Sequence, residues 1–527
     1  MAITDIDVDV LIAGAGPAGL MMACQLAMHN ISFRIIDKKA SPEIHSGALI
    51  VHAPTLEILQ QMGIAEKAIA RGIIATSINI RFNRNISTID ISNAGNSLTR
   101  FPFLLMIEQW QTENLLIEFL KERGHVVENK TELLTFLQES DSVTSEIRNR
   151  GGGTGLIKSR FLIGADGKNS IVRKQLNISF PGKTHQARLF ITDCEARTPI
   201  AKNEILFSFT AEYTAGFFPL PGNRCRVDGM IPKIQKKENV SFGDVKDFFA
   251  ANSGSGIELQ NPQWFSVFRS HSRCAASFRQ NQCFLVGDAA HVHSPVGAQG
   301  MNTGIQDSHN LAWKLAFFIR ANASVDLLDT YEEERRPLAL NIIRYTDFAY
   351  SLLTGKTFPA RLLRLKVIPL FMPLLLKRLK KNEGTRTHIF NSVSGIGARY
   401  GSNLPQDLSN VNFPAHAPKP GERLPCLGYE ASGKPFSLYN NLDSLTFHLF
   451  VFGKSALPDV FQSVMDERSE IISVKYIPHE SGTQHLFESL GIKHAGCYLV
   501  RPDLYIAWRS IDFNETDFTH YLQKTLK

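Results

Sequence analysis

The chain has 527 residues, of which 43% are hydrophobic and 20% are charged. This composition excludes a wholly disordered chain, a collagen-like repeat and a coiled coil, and the length favours about three domains. Lys and Arg outnumber Asp and Glu by 57 to 50, a net charge of +7 that permits anionic small molecules or an anionic membrane surface but does not indicate nucleic acid. Seven dispersed cysteines without a C-x-x-C pair indicate reduced thiols, so we expect a cytoplasmic protein.

The first motif lies between two apolar, strand-like runs. The run 8–13 leads directly into G-x-G-x-x-G at 14–19, a helical stretch follows, and a second strand over 32–36 ends at Asp37. In this βαβ arrangement the glycines allow a tight turn and close approach to a pyrophosphate, while the acid accepts from a ribose hydroxyl. An acid at this place suits FAD or NAD better than NADP. The glycines also interrupt the uncharged stretch 10–28, so we expect no membrane span there.

Two later strand-like runs also end in an acid. One leads to Asp166, and the other leads to Asp288, after which a Pro/Gly loop precedes a helix predicted over 301–316. With the three motifs in this order, the sequence resembles the class A flavoprotein monooxygenases of the p-hydroxybenzoate hydroxylase and phenol hydroxylase type. The resemblance extends over about residues 8–337 and includes Y-E-E-E-R-R-P at 331–337.

The resemblance implies an α/β fold with three parts. These are a Rossmann-like FAD-binding domain of the GR2 type, an inserted β-sheet substrate domain and a thioredoxin-like C-terminal α/β domain. The last is suggested by 497–509, which is similar to a hairpin of the pentachlorophenol monooxygenase relatives; without a C-x-x-C it cannot carry dithiol chemistry. The predicted domains are 1–72, 101–186 and 273–345 for FAD, 73–100 and 187–272 for the substrate, 346–412 as a helical connector, and 413–527 as the thioredoxin-like domain.

By the resemblance the cofactor is FAD. The residues assigned to it are Gly14, Gly16, Pro17, Ala18, Gly19, Asp37, Lys38, Gln109, Asp166, Asp288, Gly300, Met301 and Asn302. The backbone at 300–302 would cradle the flavin pyrimidine edge, where a helix N-terminus stabilises the negative charge of the reduced ring. Pro295 would lie beside the reactive edge of the ring as the candidate catalytic residue, and 217–219 (Phe217, Phe218 and Pro219) would face the substrate.

The implied activity is that of an FAD-dependent monooxygenase. NADPH or NADH would reduce FAD, O₂ would form a flavin C4a-hydroperoxide, and one oxygen would pass to an aromatic small molecule of phenolic, quinone or polycyclic type. The alternatives are a flavin epoxidase or halogenase acting on a hydrophobic ring, and a non-catalytic FAD-binding protein. The histidines His291 and His293 are interpreted as structural, and no metal site is expected.

One loop departs from the family pattern. Gly47 stands where many relatives have an arginine that contacts FAD phosphate or helps to place the nicotinamide, and His45 or Arg34 is a candidate replacement. Glu43 is the only acid between 42 and 54, so the aspartate with which phenol hydroxylases deprotonate their substrate has no counterpart in this loop.

A basic segment at 361–381 contains seven Lys or Arg residues around an apolar run over 367–376. The run is too short to span a bilayer. Three interpretations stay open: peripheral contact with an anionic membrane, a homodimer contact, and a helix buried under the C-terminal domain with solvated basic ends.

Overall fold

The computed structural model describes residues 6–526 except 46, 83–84, 93–94, 97, 211–213, 232–238, 254–255, 322, 356–357, 402–412, 432–433, 441 and 514. Strands and helices are numbered separately in chain order. Within the described part of the chain, no helix is both long and apolar enough to cross a bilayer.

The first sheet is mainly parallel. It contains β1 (Val8–Ala13), β2 (Phe33–Asp37), β8 (Glu128–Asn129), β9 (Glu132–Gln138), β10 (Val143–Arg148), β11 (Thr154–Gly164), β17 (Arg279–Gln280) and β18 (Cys283–Leu285). Its order is β17-β18-β11-β1-β2-β8, and β10 and β9 continue from β11 as an antiparallel meander. The register pairs Ala13 with Gly164, and Gly164 with Leu285, so the turns after three neighbouring strands meet at one edge.

Helices pack on this sheet and share its hydrophobic core. They are α1 (Pro17–Met28), α2 (Ala53–Gln61), α3 (Ala65–Arg71), α4 (Gln109–Lys121), α5 (Ile171–Gln175), α7 (Gly300–Arg320) and α8 (Asp326–Thr354). Because Pro17 occupies the first turn of α1, its missing N–H costs no helical hydrogen bond. Residues 19–27 of α1 are buried, and the helix packs against α7 and α4. This burial explains why α1 is apolar on nearly every side.

The second sheet has eight strands. They are β5 (Ser77–Phe82), β6 (Asn85–Asp90), β12 (Gly182–Arg197), β13 (Glu204–Phe209), β14 (Thr214–Pro219), β15 (Arg224–Met230), β16 (Glu258–Cys274) and β19 (His291–Val292), in the order β19-β16-β12-β15-β14-β13-β5-β6. Only the β13–β5 pair is parallel among the pairs described. The predicted boundaries after 186 and after 272 fall inside β12 and β16, because each of these long strands continues past the boundary and the two pair with each other along most of their length.

Smaller elements complete this part of the chain. Strands β3 (Ile50–Val51), β4 (Ile73–Ala75) and β7 (Leu104–Met106) form a separate three-stranded sheet, and helix α6 (Phe242–Ser253) packs on β16. The sequence prediction assigned 73–75 to the substrate sheet, but β4 pairs with β7 instead.

The C-terminal part begins with helices and ends in a small α/β unit. The elements are α9 (Phe358–Leu362), α10 (Ile368–Lys381), α11 (Glu383–Ser394), β20 (Gly428–Ala431), β21 (Lys434–Ser437), β22 (Phe447–Phe452), α12 (Asp459–Asp466), β23 (Ile472–Ile477), α13 (Gln484–Leu490), β24 (Gly496–Val500), β25 (Ile506–Ser510) and α14 (Glu515–Thr525). The sheet order β23-β22-β24-β25, with β22 and β23 parallel and the other pairs antiparallel, is that of a thioredoxin-like domain. The predicted α/β fold class is confirmed.

Buried ion pairs join this unit to the first sheet's helices. Arg501 donates to both carboxylate oxygens of Glu334 on α8 at 2.6 and 2.9 Å, and Lys314 on α7 donates to the same carboxylate at 2.7 Å. Arg423 also pairs with Glu57 on α2. All of these side chains except that of Arg423 are fully or almost fully buried. Breaking one partner would leave a buried charge uncompensated, so the contacts fix the C-terminal unit to the rest of the chain.

Candidate functional site

A single cavity of about 1060 Å³ lies between the two large sheets. One part, here called the dinucleotide half, is lined by the turns after β1, β11 and β18 and by the loop before α7. The other part, here called the chamber, is lined by the second sheet and by residues of α8 and α11.

The glycine turn after β1 is shaped by close backbone contacts. Gly14 has a φ of +106°, and a Cβ on it would lie 2.3 Å from the Ala165 carbonyl oxygen. A Cβ on Gly19 would lie 1.9 Å from the Gly14 carbonyl oxygen. A Cβ on Gly16, in contrast, would meet no protein atom within 4 Å. The first and third glycines are therefore required by the fold, whereas Gly16 keeps open a space in the cavity that a ligand can occupy.

Asp37 closes the same turn from the end of β2. Its Oδ2 accepts from the Ala15 N–H at 2.7 Å, and its Oδ1 accepts from the Lys39 N–H at 2.7 Å. Nearby, Gln109 donates to Glu113 at 2.8 Å, and burial raises the pKa of Glu113 to about 7. Asp37, Gln109 and Glu113 all line the cavity, where the hydroxyl groups of a ribose could donate to their side-chain oxygens.

Asp166 and Asp288 follow two adjacent strands and differ in their partners. Asp166 Oδ2 accepts from the Ile171 N–H at 2.6 Å at the start of α5, whereas its buried Oδ1 has no partner among the described residues. Asp288 has no hydrogen-bond partner in the described part of the chain, and its side chain is exposed to the cavity that it lines. Burial raises the pKa of both carboxyl groups. An unpaired carboxylate in such a place needs a ligand hydroxyl or water as partner.

The N-terminus of α7 points its first turn at the same cavity. Gly300 and Met301 line it, as does Pro295 in the preceding loop. Asn302 does not: its Oδ1 accepts from the His52 N–H and the Thr55 hydroxyl at 2.9 and 2.8 Å. Its amide also donates to the carbonyls of residues 50 and 298. This side chain therefore holds neighbouring loops in place, and only its backbone is available for the predicted cradle.

The two histidines of the loop have separate environments. His291 contacts the buried Asp307 at 2.7 Å, and Arg335 of the Y-E-E-E-R-R-P motif contacts the other oxygen of that carboxylate at 2.7 Å. His293 lines the cavity, and burial lowers its pKa to about 4. Because its Nδ1 contacts the Ser294 carbonyl, its buried Nε2 is left as an acceptor without a partner in the described residues.

In the chamber, the second sheet presents an apolar face. The predicted residues divide here: Phe218 lines the chamber, whereas Phe217 lies in the core on the other face of β14, and Pro219 is buried outside the lining. Successive side chains of a strand point to opposite faces, so adjacent phenylalanines cannot both reach the cavity. The wall is completed by the side chains of Ile78, Ile80, Ile89, Leu189, Ile191, Ile205, Phe207, Phe209, Met230, Leu353 and Phe390.

Asp228 on β15 interrupts this apolar face and was missed in the sequence. Among the described residues of the second sheet that line the cavity, it is the only carboxylate. Burial raises its pKa to about 6, although nearby Arg226 and the Gly216 N–H act in the opposite direction. A Cβ on Gly216 would lie 2.8 Å from Asp228 Oδ1, so the glycine makes room for the carboxylate. Nothing in the sequence fixed which face of β15 is turned to the cavity.

Arg226, two residues earlier on the same face, contacts the loop that carries Gly47. It forms two hydrogen bonds with Asp193, at 2.7 and 2.8 Å, and donates to the carbonyls of Gly47 and Ala48, both at 3.1 Å. Arg34 instead pairs with Glu128 and does not line the cavity. A guanidinium from the second sheet therefore reaches the loop from which the family arginine is missing.

His45 does not line the cavity either. Its ring stacks on Trp264 of β16, with centroids 5.4 Å apart. The indole of Trp264 in turn donates to Asp193 at 2.7 Å, so it joins the cluster that holds this loop.

The dinucleotide half fits FAD. It combines the open space at Gly16, the unpaired carboxylate of Asp288, the orphaned acceptor of His293 and the free N–H groups at the start of α7. Helix N-termini favour negative charge, and the unpaired acceptors match hydroxyl and N–H donors. Of the predicted FAD residues, only Gly19 and Asn302 lie outside the cavity lining.

The comparisons with known proteins agree with this fit. The FAD binding domain family matches residues 7–346, and the C-terminal domain of aromatic-ring hydroxylases matches residues 417–527. The chain is 32% identical over 540 residues to 6-methylpretetramide 4-monooxygenase of Streptomyces rimosus, covering 98% of this chain and 93% of the relative. It is 31% identical over 357 residues to pentachlorophenol 4-monooxygenase of Sphingobium chlorophenolicum, covering 66% of this chain and 65% of the relative.

Two solved structures have the same fold over nearly their whole length. Anhydrotetracycline hydroxylase of Streptomyces rimosus is 26% identical, with a TM-score of 0.74 and coverage of 98% of this chain and 99% of that one. The ternary complex of aklavinone-11 hydroxylase with FAD and aklavinone is 22% identical, with a TM-score of 0.81 and coverage of 99% and 100%. The chain belongs to the FAD-dependent aromatic monooxygenases, and FAD is its cofactor.

Proposed function

We propose that the protein uses NADPH or NADH and O₂ to hydroxylate a polycyclic arene that already carries a ring hydroxyl group. The observation that carries this proposal is the single cavity in which the dinucleotide half opens into an apolar chamber with one carboxylate, Asp228. FAD, once reduced by the nicotinamide, supplies the activated oxygen. The protein contributes orientation, exclusion of water and control of one proton.

The residues of the dinucleotide half would divide the cofactor between them. The turn at 14–19 and Asp37 would hold the ADP half, and Gln109 and Asp166 would line its path. Asp288 would bind the ribityl hydroxyls, and the first turn of α7 would hold the pyrimidine edge of the ring. Pro295 would shape the space between the ring and the chamber.

The chamber indicates the class of substrate. Its wall is formed mainly by Ile, Leu, Phe and Met side chains from the second sheet, α8 and α11, so a flat, apolar ring system would gain from burial there. The relatives named for 6-methylpretetramide and anhydrotetracycline, together with the solved complex that contains aklavinone, support a polycyclic substrate for this chain.

Asp228 is proposed as the proton acceptor for the ring hydroxyl. Its pKa is raised to about 6, so it is ionised at neutral pH and is a stronger base than an ordinary aspartate. Removing that proton increases the electron density of the ring carbons ortho and para to the oxygen, which favours attack on electrophilic oxygen. Asp228 lines the cavity, so a substrate hydroxyl bound in the chamber could approach its carboxylate.

The proposal is tested with the FAD-loaded protein. NADPH and NADH oxidation are measured with a panel of phenols, hydroxyquinones and fused-ring hydroxyarenes, and products are analysed by mass spectrometry. We expect stimulated oxidation and one added oxygen atom with the fused-ring compounds. A chlorinated product or an epoxide would favour the halogenase or epoxidase alternative, and a lack of stimulation by every compound would favour a non-catalytic FAD-binding protein.

A further inference from the structure

We propose that the exposed surface of α9 and α10, residues 358–381, docks on an anionic lipid surface. This α9–α10 surface combines exposed apolar side chains with a dense positive charge. The proposal is independent of the hydroxylation chemistry, because it concerns the outer side of the helices.

Helix α10 is apolar on two sides. Its inner side chains Ile368, Met372 and Leu376 pack with Phe82 and Phe209 of the second sheet, which accounts for that face.

Within the part of the chain that the structure describes, the outer side of α10 carries large apolar side chains that remain exposed. Leu370 is 74% exposed and Leu374 is 63% exposed, with Phe371 between them at 57%. Phe358, on α9, is 77% exposed. Large side chains grouped in this way on one surface mark a binding face more often than an ordinary solvent-facing helix.

The same segment holds the positive charge of the protein. Residues 358–381 contain seven Lys or Arg and no Asp or Glu, whereas the whole chain has a net charge of +7, so all other residues together sum to zero. Arg364 is buried and donates to backbone carbonyls of residues 352, 353 and 355, which gives it a structural role. The side chains of Lys366, Lys377, Arg378 and Lys381 are exposed.

The positive charge favours an anionic lipid surface over a second copy of this chain as the partner of the α9–α10 surface. In a two-fold homodimer the same patch from each copy would meet, which would bring two strongly positive surfaces together. An anionic lipid surface complements both features, because the headgroups attract Lys and Arg while the outer leucines and phenylalanines enter the interfacial layer. The 14-residue α10 is too short to span a bilayer, so the contact is peripheral.

Docking would bring the chamber close to the lipid. The inner face of α10 packs against Phe209 and Phe207, which line the chamber, so a single helix layer lies between the two. If the proposed function holds, an apolar fused-ring substrate dissolved in lipid would have a short route to the cavity; the docking itself does not depend on that function.

The test uses FAD-loaded protein without substrate and vesicles of phosphatidylcholine with or without phosphatidylglycerol. The variant K377E/R378E/K381E is compared with K174E/K202E/K493E, which changes the net charge equally at exposed lysines elsewhere. A third variant, L370S/L374S, removes apolar contact without changing charge. FAD content and thermal unfolding are measured for each variant, so that misfolding is recognised.

We expect wild type and the control variant to sediment with anionic vesicles and not with neutral ones, and to be released by high salt. The charge variant should lose about tenfold or more in partitioning, and the leucine variant should also bind more weakly. Equal binding by the charge variant and its control would overturn the proposal. So would a dimer in solution that only the α9–α10 variants dissociate, since the surface would then be a self-interface.

Discussion

The two parts of the cavity are built by different means. The dinucleotide half is formed by backbone: glycine turns, strand ends and a helix N-terminus. The chamber is formed by side chains that project from one face of the second sheet. A site made of backbone leaves a mark in the sequence, because glycines and acids must stand at fixed distances along the chain. A site made of side chains depends on which face of each strand is turned inward, and a single sequence does not specify that.

Substitution of Asp228 in the chamber should change the activity most. Asp228→Asn should lower kcat/KM for a hydroxyarene by about 10²–10⁴-fold, because a general base in reach of the substrate proton contributes that much. Asp228→Glu is the conservative control and should retain part of the activity. FAD binding should be unchanged in both variants, since Asp228 lies in the chamber; a loss of FAD would remove the distinction between the two halves.

The same residue predicts a pH dependence. Its pKa is raised to about 6, so the carboxyl group becomes protonated, and unable to accept, as the pH falls through that value. Wild-type kcat/KM should therefore decline below about pH 6 and level off above it. This inflection should disappear in Asp228→Asn. Identical pH profiles for the two proteins would contradict the assignment of the base.

The buried ion pair between Arg226 and Asp193 is expected to contribute to the stability of the fold. Arg226→Met leaves the buried Asp193 carboxylate without its charged partner, although the Trp264 indole still donates to it, at an expected cost of about 3–5 kcal/mol in the free energy of unfolding. Arg34→Met is the matched control: its pair with Glu128 is about one-third exposed, so the loss should be about 0–1 kcal/mol. Both are measured by urea unfolding. Equal losses would show that the Arg226 contact is no stronger than a surface pair.

Within the dinucleotide half, Gly19 is expected to affect folding, whereas Gly16 is expected to affect FAD binding. Gly19→Ala forces a Cβ against the Gly14 carbonyl and should destabilise even the FAD-free protein by about 3 kcal/mol. Gly16→Ala meets no protein atom, so the FAD-free protein should unfold at the wild-type temperature while FAD binds about tenfold or more weakly. Thermal unfolding and flavin titration distinguish the cases. Normal FAD affinity in Gly16→Ala would place the pyrophosphate elsewhere.

The smallest effect concerns charge at the start of α7. Gly300→Asp should weaken FAD retention or slow its reduction by about two- to fivefold, because an added negative charge opposes the helix dipole where the flavin edge would lie. Gly300→Asn has nearly the same size without the charge and should stay close to wild type. The nearest atom to a Cβ there is His293 Cε1, at 3.9 Å, so neither side chain is excluded sterically. Equal behaviour of the two variants would contradict the dipole argument.

These residues also explain how far the sequence could lead. The order of the glycine turn, Asp166 and Asp288 predicted the FAD-binding fold, because each motif ends a strand of one parallel sheet. Asp228 and Arg226 were missed because β15 carries no motif and its inward face is set by pairing with β14 and β12. Asn302 was predicted by position alone, and only the structure reveals that its side chain bonds to other loops.

Hydroxylation of a fused-ring hydroxyarene is tested most directly by a single turnover with isotopically labelled O₂. FAD-loaded protein is reduced by NADPH or NADH in the presence of a fused-ring hydroxyarene, and the product is examined by mass spectrometry. We expect one labelled oxygen atom on the ring, with product formation strongly reduced in Asp228→Asn. Unlabelled product, or reduced flavin that returns to the oxidised form with only hydrogen peroxide released for every compound, would contradict it.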